Sequence, residues 1–157
     1  MAETISIRVT GADALAAKYG KLASQITDFS APMKQSAQYL MEFFSGEVFA
    51  SRGSVIGHPW PALNRKYAAY KAQKWPGRPP LIQTGKMQRS FASQFGTDYA
   101  KVYNTATNRQ GQNYFDFHQL GTRNIPARVM MDVDRQRQQD IANFFAEDLR
   151  KKLSEAA

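Results

Sequence analysis

The chain has 157 residues, 43% hydrophobic and 22% charged, a globular mix long enough for one domain, 1–157, to bury a core without staples. It has no cysteine and only two histidines, His58 and His118, which excludes a disulfide scaffold, a thiol nucleophile, a thiolate zinc site and an all-histidine metal site. The formal net charge is +8, and the whole excess lies in residues 51–90, which hold Arg52, Arg65, Lys66, Lys71, Lys74, Arg78, Lys86 and Arg89 and no acidic residue.

Residues 4–10 alternate apolar and polar, so Ile5, Ile7 and Val9 are predicted to share one face of a short strand. Leu15, Tyr19, Leu22, Ile26 and Phe29 then recur at steps of four and three, one apolar stripe of a helix, with Gly20 an unfavourable residue inside it. Ser30 is the predicted N-cap of a helix over 31–50, with Pro32 in its first turn. Met33, Ala37, Leu40, Phe44 and Val48 form its main stripe. Tyr39, Met41 and Phe43 widen the apolar surface beyond one face, which predicts burial on a second side, in the core or against another subunit.

Residues 51–61 read as a Gly- and Pro-punctuated loop, 62–74 as a basic helix, and 75–80 as a second, partly extended loop. Leu63, Tyr67 and Tyr70 fall on one side of that helix, as in an ordinary amphipathic helix packing Leu63 and Tyr67 inward. Residues 91–104 are predicted to be a hairpin turning at Gly96-Thr97-Asp98, and 105–113 a polar loop. The composition of 51–61, 75–80 and 105–113 predicts few fixed contacts and mobility in an isolated subunit. Residues 114–120 fit a strand or a short helix. Val129, Met131 and Val133 alternate as on a last strand, and Asp132 or Asp134 caps a final helix with Ile141, Phe144, Phe145, Leu149 and Leu153 on its core face. The fold class is α+β: an antiparallel sheet packed by N-terminal and C-terminal helices, with 51–90 as a basic loop-helix arm within the domain.

Chemistry is sparse. The nearest carboxylate group, Asp132, Asp134 and Asp140, surrounds a helix start, where capping accounts for two of its members. Asp116 and His118 would share a face on a strand, but without a third group a structural histidine is the simpler reading. His58 reads as loop packing. No glycine-rich phosphate loop is present, and Ser54, Ser90 and Ser93 lack a nucleophile-elbow context. The reading is a non-enzyme with no metal and no cofactor.

The one-sign segment attracts nucleic acid or an acidic protein surface, unless it is a solvated face. Trp60, Tyr67, Tyr70 and Trp75 interleave with its cations, a composition shared by single-strand nucleic-acid binders and by protein-interface anchors. Arg52, Trp60, Arg65, Lys66, Tyr67, Lys71, Lys74, Trp75 and Arg78 are therefore candidates for a partner interface or a DNA-channel wall. Apolar runs fall far short of the ~20 residues of a membrane helix. Residues 1–9 lack the features of a secretion signal, so synthesis in a cytoplasm is expected.

Four motifs follow in order: Pro59-Trp60-Pro61-Ala62-Leu63; Pro80-Leu81-Ile82-Gln83-Thr84-Gly85-Lys86-Met87-Gln88-Arg89-Ser90; His118-Gln119-Leu120-Gly121; and Ile125-Pro126-Ala127-Arg128. With Lys71 between the first two, this series resembles the phage virion morphogenesis and tail-completion family of tailed bacteriophages, of the Mu-like kind. The resemblance spans about residues 33–153. It implies a structural virion protein, made in the host cytoplasm, that finishes the tail or joins it to the head. It implies no catalysis, and a homo-oligomeric ring, often sixfold, around the DNA channel. Its implied neighbours are the head connector or adaptor ring and the tail terminator or tail tube, with non-specific contact to packaged DNA and no membrane.

Within the motifs, Trp60, Leu63, Thr84, Gly85, His118, Gln119, Gly121, Pro126 and Arg128 are expected to maintain the fold more than to touch partners. Gly85 suits a turn requiring positive φ, and Thr84 suits hydrogen bonding to its own backbone neighbours. Arg128 suits a forked contact to a carboxylate, and His118 and Gln119 suit bracing of the loop that begins at Gly121. The competing readings are a free, non-sequence-specific nucleic-acid-binding protein and, on charge and His118 alone, an enzyme acting on nucleic acid.

Overall fold

A computed structural model describes residues 3–20 and 26–155. In chain order the described elements are β1 (Thr4–Arg8), α1 (Ala12–Tyr19), α2 (Ser30–Phe43), a π turn (Phe44–Val48) and a 3-10 turn (Ser54–Ile56). They continue with α3 (Arg65–Lys74), β2 (Phe91–Phe95), β3 (Tyr99–Asn104), α4 (Phe115–Leu120) and α5 (Arg135–Glu155). The strands form an antiparallel sheet in the order β1-β3-β2, so the fold is α+β. The chain divides into two units, one built on Glu42–Ala92 and Tyr103–Asp132, the other on Thr4–Met41, Ser93–Val102 and the chain from Val133 onward.

In the second unit, Ile5, Ile7 and Val9 are half-buried while Thr4, Ser6 and Arg8 face out, the period of two expected of β1. The predicted helix through residues 15–29 does not run unbroken. α1 stops at Tyr19 and Gly20 takes φ +60, a left-handed conformation that ends a helix readily. Leu22 lies outside the described residues, as do the side chains of Leu15 and Tyr19; Ile26 and Phe29 are buried. The cap of α2 is also displaced. Asp28 accepts the Ser30 N–H at 3.0 Å, so Ser30 is the first helical residue and not the cap. These hydrogen bonds from Ser30 hold the Asp28 carboxyl below its ordinary range. Met33, Ala37 and Leu40 are fully buried, as the stripe predicts.

Asp134 caps α5 by accepting the Arg137 N–H at 2.8 Å, which leaves Asp132 without that role. Phe144 meets Tyr39 edge-on at 5.3 Å, Phe145 lies 5.9 Å from Phe29, and the Tyr39 hydroxyl donates to Asp140. Yet no residue of α5 is buried. Ile141, Phe144, Phe145 and Leu149 are half-covered, and Leu153 is 46% exposed. The expected core face is a partly covered surface.

In the first unit the π turn explains the broad apolar surface of residues 31–50. It places about one more residue per turn than an α-helix. Phe43 and Phe44 therefore turn inward together, and five residues later so do Val48 and Phe49. Phe44 lies 6.0 Å from Phe91, Phe91 5.7 Å from Phe115, and Phe49 5.3 Å from Trp60. Of the two sites left open for this surface, core or subunit contact, Phe43 takes the core together with Phe44 and Val48 of the main stripe, and of the widening set only Tyr39 and Met41 stay half-exposed.

Residues 114–120 resolve to the helix α4. Residues 129–133 are not a strand; the adjacent Met130 and Met131 are both buried there, against the alternation read from the sequence.

A candidate partner-binding cleft

The first unit contains a cleft of about 840 Å³, walled by residues of all the sequence motifs. One wall is α3. The segment before it is extended, and Asn64 starts the helix by accepting the Lys66 N–H at 2.9 Å, so the helix is shorter than the expected 62–74. Its sequence is rich in Ala and Lys, good helix formers, and its burial is inverted. Tyr67 and Tyr70 are 40% and 47% exposed, and the one buried residue is Lys71, at 3%. The inward packing expected of Tyr67 does not occur. The Tyr67 and Tyr70 rings lie 6.3 Å apart, tilted by 36°, and Tyr70 meets Trp75 edge-on at 6.1 Å. Arg65, Lys66, Lys74 and Arg78 are exposed beside them, and Arg52 is exposed in a left-handed turn at φ +52.

The Lys71 ammonium donates to the Pro79 carbonyl. Burial, reinforced by the Arg128 charge, lowers its pKa. Arg128 is 4% exposed, and its fork ends on backbone, not on the expected carboxylate: Nε donates to the Pro61 carbonyl and Nη2 to the Ala62 carbonyl, each at 3.0 Å. Those bonds hold the extended 61–62 segment that leads into α3. Trp60 is also fixed, with Nε1 donating to the Val129 carbonyl at 2.8 Å. It is a tie between chain segments, and its indole N–H is not free for a partner.

Gln119 is the clamp. Its side-chain oxygen accepts the N–H groups of Met130 and Met131 at 2.8 and 3.1 Å, and its nitrogen donates to the Met131 carbonyl at 2.8 Å. His118 contributes its backbone carbonyl, which accepts the Arg128 N–H at 2.7 Å. The pair thus braces residues 128–131, further along than the loop at Gly121. The His118 ring nitrogen Nδ1 is buried without a partner, and burial followed by the Arg128 charge lowers its pKa. On α4, Asp116 and His118 point about 200° apart, and Asp116 accepts the Glu3 N–H at 3.1 Å, so the two form no acid–base pair. His58 instead meets Asp132 at 2.8 Å, a half-exposed contact between residues too distant in sequence for any spacing rule.

The opposite wall is the 79–87 loop. Gly85 takes φ +80, Thr84 Oγ1 accepts the Lys86 N–H at 3.3 Å, and Arg89 donates to the Thr84 carbonyl at 3.0 Å. Leu81 holds φ +64, a conformation that costs a residue with a Cβ about 1–2 kcal/mol. Gly121 takes φ +75, and a Cβ there would lie 2.8 Å from the Ala127 nitrogen, so the chain turns at that point only with glycine. Pro126, in this turn, lines the cleft, as do Leu63 and Thr84.

The loops read as mobile from composition carry more fixed contacts than expected. Trp60 N–H reaches the Arg52 carbonyl at 2.8 Å, Arg78 N–H the Trp75 carbonyl at 3.2 Å, and the Asn108 carboxamide accepts the N–H groups of Gln110 and Gln112, both at 2.9 Å. Among the described residues no group of three His, Cys, Asp or Glu side chains could hold a metal ion.

The α+β chain thus carries a cleft lined by Lys71, Lys86 and Arg128 beside a helix with exposed Tyr67 and Tyr70. The chain belongs to the phage virion morphogenesis family, whose model matches residues 12–150. Its role is therefore in the structure and assembly of a phage virion. No curated protein and no solved structure gives a significant match to the chain. Among the described residues no helix is long and apolar enough to cross a membrane.

Proposed function

We propose that the protein is a ring-forming component of the neck or tail end of a tailed phage, which completes the tail and joins it to the head. The observation that carries this reading is α3, whose aromatic and cationic side chains face solvent while its lone buried residue is a lysine. A helix turned outward in this way has little value to an isolated subunit. It suits docking on an acidic neighbour, of which the head connector or adaptor ring and the tail terminator or tail tube are the proposed ones. Exposed Tyr beside cations matches the residue types that anchor interfaces.

The subunit contact of the proposed ring, sixfold by family resemblance, falls to α5. Its half-covered Ile141, Phe144, Phe145 and Leu149 and its exposed Leu153 offer the apolar surface that α2 does not. The exposed cations Arg65, Lys66, Lys74 and Arg78 also favour a second reading, non-specific contact with nucleic acid, either as a free binder or along a DNA channel.

Native mass spectrometry and negative-stain imaging of the purified protein, alone and with tails, test the reading. A closed ring, formed alone or on tails and lost on Leu153→Glu, supports it. A persistent monomer with salt-sensitive DNA affinity and no tail binding refutes it in favour of the second.

A further inference from the structure

We propose that the cleft between α3 and the 79–87 loop is a docking site for an acidic, extended segment of a partner virion protein, with a carboxylate seated against Lys71 and Arg128. The inference rests on the proposed docking role and names the chemistry of the partner.

The first support is uncompensated charge. Lys71 and Arg128 are both buried in the cleft wall, the Arg128 charge adds to the cost of keeping Lys71 ionised, and no Asp or Glu lines the cleft. Buried ions in proteins are ordinarily paired. Here the ammonium has three donors and the Pro79 carbonyl takes one; the guanidinium has five, and Pro61 and Ala62 take two. A carboxylate bound beside them supplies the missing charge and acceptors, and charge-assisted hydrogen bonds of that kind are about twice as strong as neutral ones. The second support is the buried, partnerless Nδ1 of His118 in the same wall. The third is shape. About 840 Å³ lies within the roughly 300–1,000 Å³ of ligand pockets, and Leu63, Leu81, Met87 and Ile125 give apolar wall between the polar groups. An extended strand alternating acidic and apolar side chains matches that wall.

Other occupants fit less well. Phosphates fixed on a rigid duplex do not reach cations that are 3% and 4% exposed, whereas a carboxylate on a flexible side chain does. Among the described residues a second copy of this chain has no free extended acidic run to insert: Asp132 meets His58, Asp134 caps α5, and Glu147-Asp148 lies within that helix.

The test uses the full chain, isotope-labelled, titrated with acetyl-Glu-Leu-Glu-Leu-Glu-Leu-amide, with its Gln-for-Glu counterpart, and with a short DNA duplex, followed by amide chemical shifts. The expected result is that the Glu peptide shifts resonances around Tyr67, Gln83 and Ile125, while the Gln peptide binds at least tenfold more weakly. Lys71→Met is expected to weaken the Glu peptide at least tenfold. Lys86→Glu, at an exposed position on the cleft rim, is expected to weaken it severalfold and keeps the test valid should the first variant not fold. Equal binding of the two peptides, shifts elsewhere, no binding, or the same cleft shifts with the duplex would each overturn the proposal. None of these outcomes bears on ring formation, so failure of the cleft and failure of the neck assignment are read separately.

Discussion

Replacing Gln119 by Leu should cost the protein about 3–5 kcal/mol of stability, more than any surface change nearby. The substitution keeps the bulk of the side chain and removes its amide, and with it three hydrogen bonds at 2.8, 2.8 and 3.1 Å. Met130 and Met131 are buried, so their two N–H groups and one carbonyl lose their partner away from water. Each orphaned buried group costs about 1–3 kcal/mol, which gives a range of roughly 3–9 kcal/mol before relaxation. Partial entry of water lowers the upper bound more than the lower. Against a typical total of about 5–15 kcal/mol, such a loss unfolds a large share of molecules near physiological temperature. The assay is urea denaturation followed by far-UV circular dichroism, with Leu120→Ala, at an exposed neighbour, as the control expected within about 0.5 kcal/mol of wild type. A loss below about 1 kcal/mol at unchanged denaturant slope would refute the clamp.

Gly121→Ala should destabilise by about 2 kcal/mol or more, because positive φ and a backbone clash combine, while Gly111→Ala, with positive φ and open space, should cost about 1 kcal/mol; equal losses in parallel melts would contradict this. Lys71→Met should change stability by no more than about 1 kcal/mol, since an apolar side chain removes a desolvated cation while leaving the Pro79 carbonyl without its donor; a loss above about 3 kcal/mol would show the ammonium to be a net stabiliser. The His118 pKa lies below the ordinary 6.5, so the unfolded chain takes up a proton first as pH falls. Its stabilising contribution is therefore present above pH 6.5 and lost as pH drops through the folded value, a slope that His118→Gln should remove in denaturation curves; an unchanged slope in that variant would refute the assignment.

Much of the fold was legible because local patterns decided it. The alternation of Ile5, Ile7 and Val9, the hairpin over 91–104 and the stripe Met33, Ala37, Leu40 each follow from a period and its turn residues. What failed depended on long-range partners. The π turn at Phe44–Val48 alters helix register with no proline or glycine pattern that demands it, although Gly46 sits inside it. Residues 129–133 alternate like a strand, but Gln119 supplies the hydrogen bonds that a neighbouring strand would have given.

The candidate site was half legible. Lys71 and Arg128 could be picked out by motif, yet nothing in their spacing says that both are buried in one wall, or that Arg128 spends its fork on Pro61 and Ala62. The remaining walls of the cleft, among them Gln83, Tyr114 and Asn124, come together only in three dimensions.

The joining role is tested most directly by in vitro complementation. Infected cells carrying a phage with an early stop codon in this gene should accumulate filled heads and separate tails, and adding the purified protein should convert them to joined, infectious particles with the protein at the junction in electron micrographs. A variant with Tyr67, Tyr70, Lys66 and Lys74 all replaced by Ser should fold but fail to join even empty heads to tails. Normal joining by that variant, or infectious particles made without the protein, would contradict it.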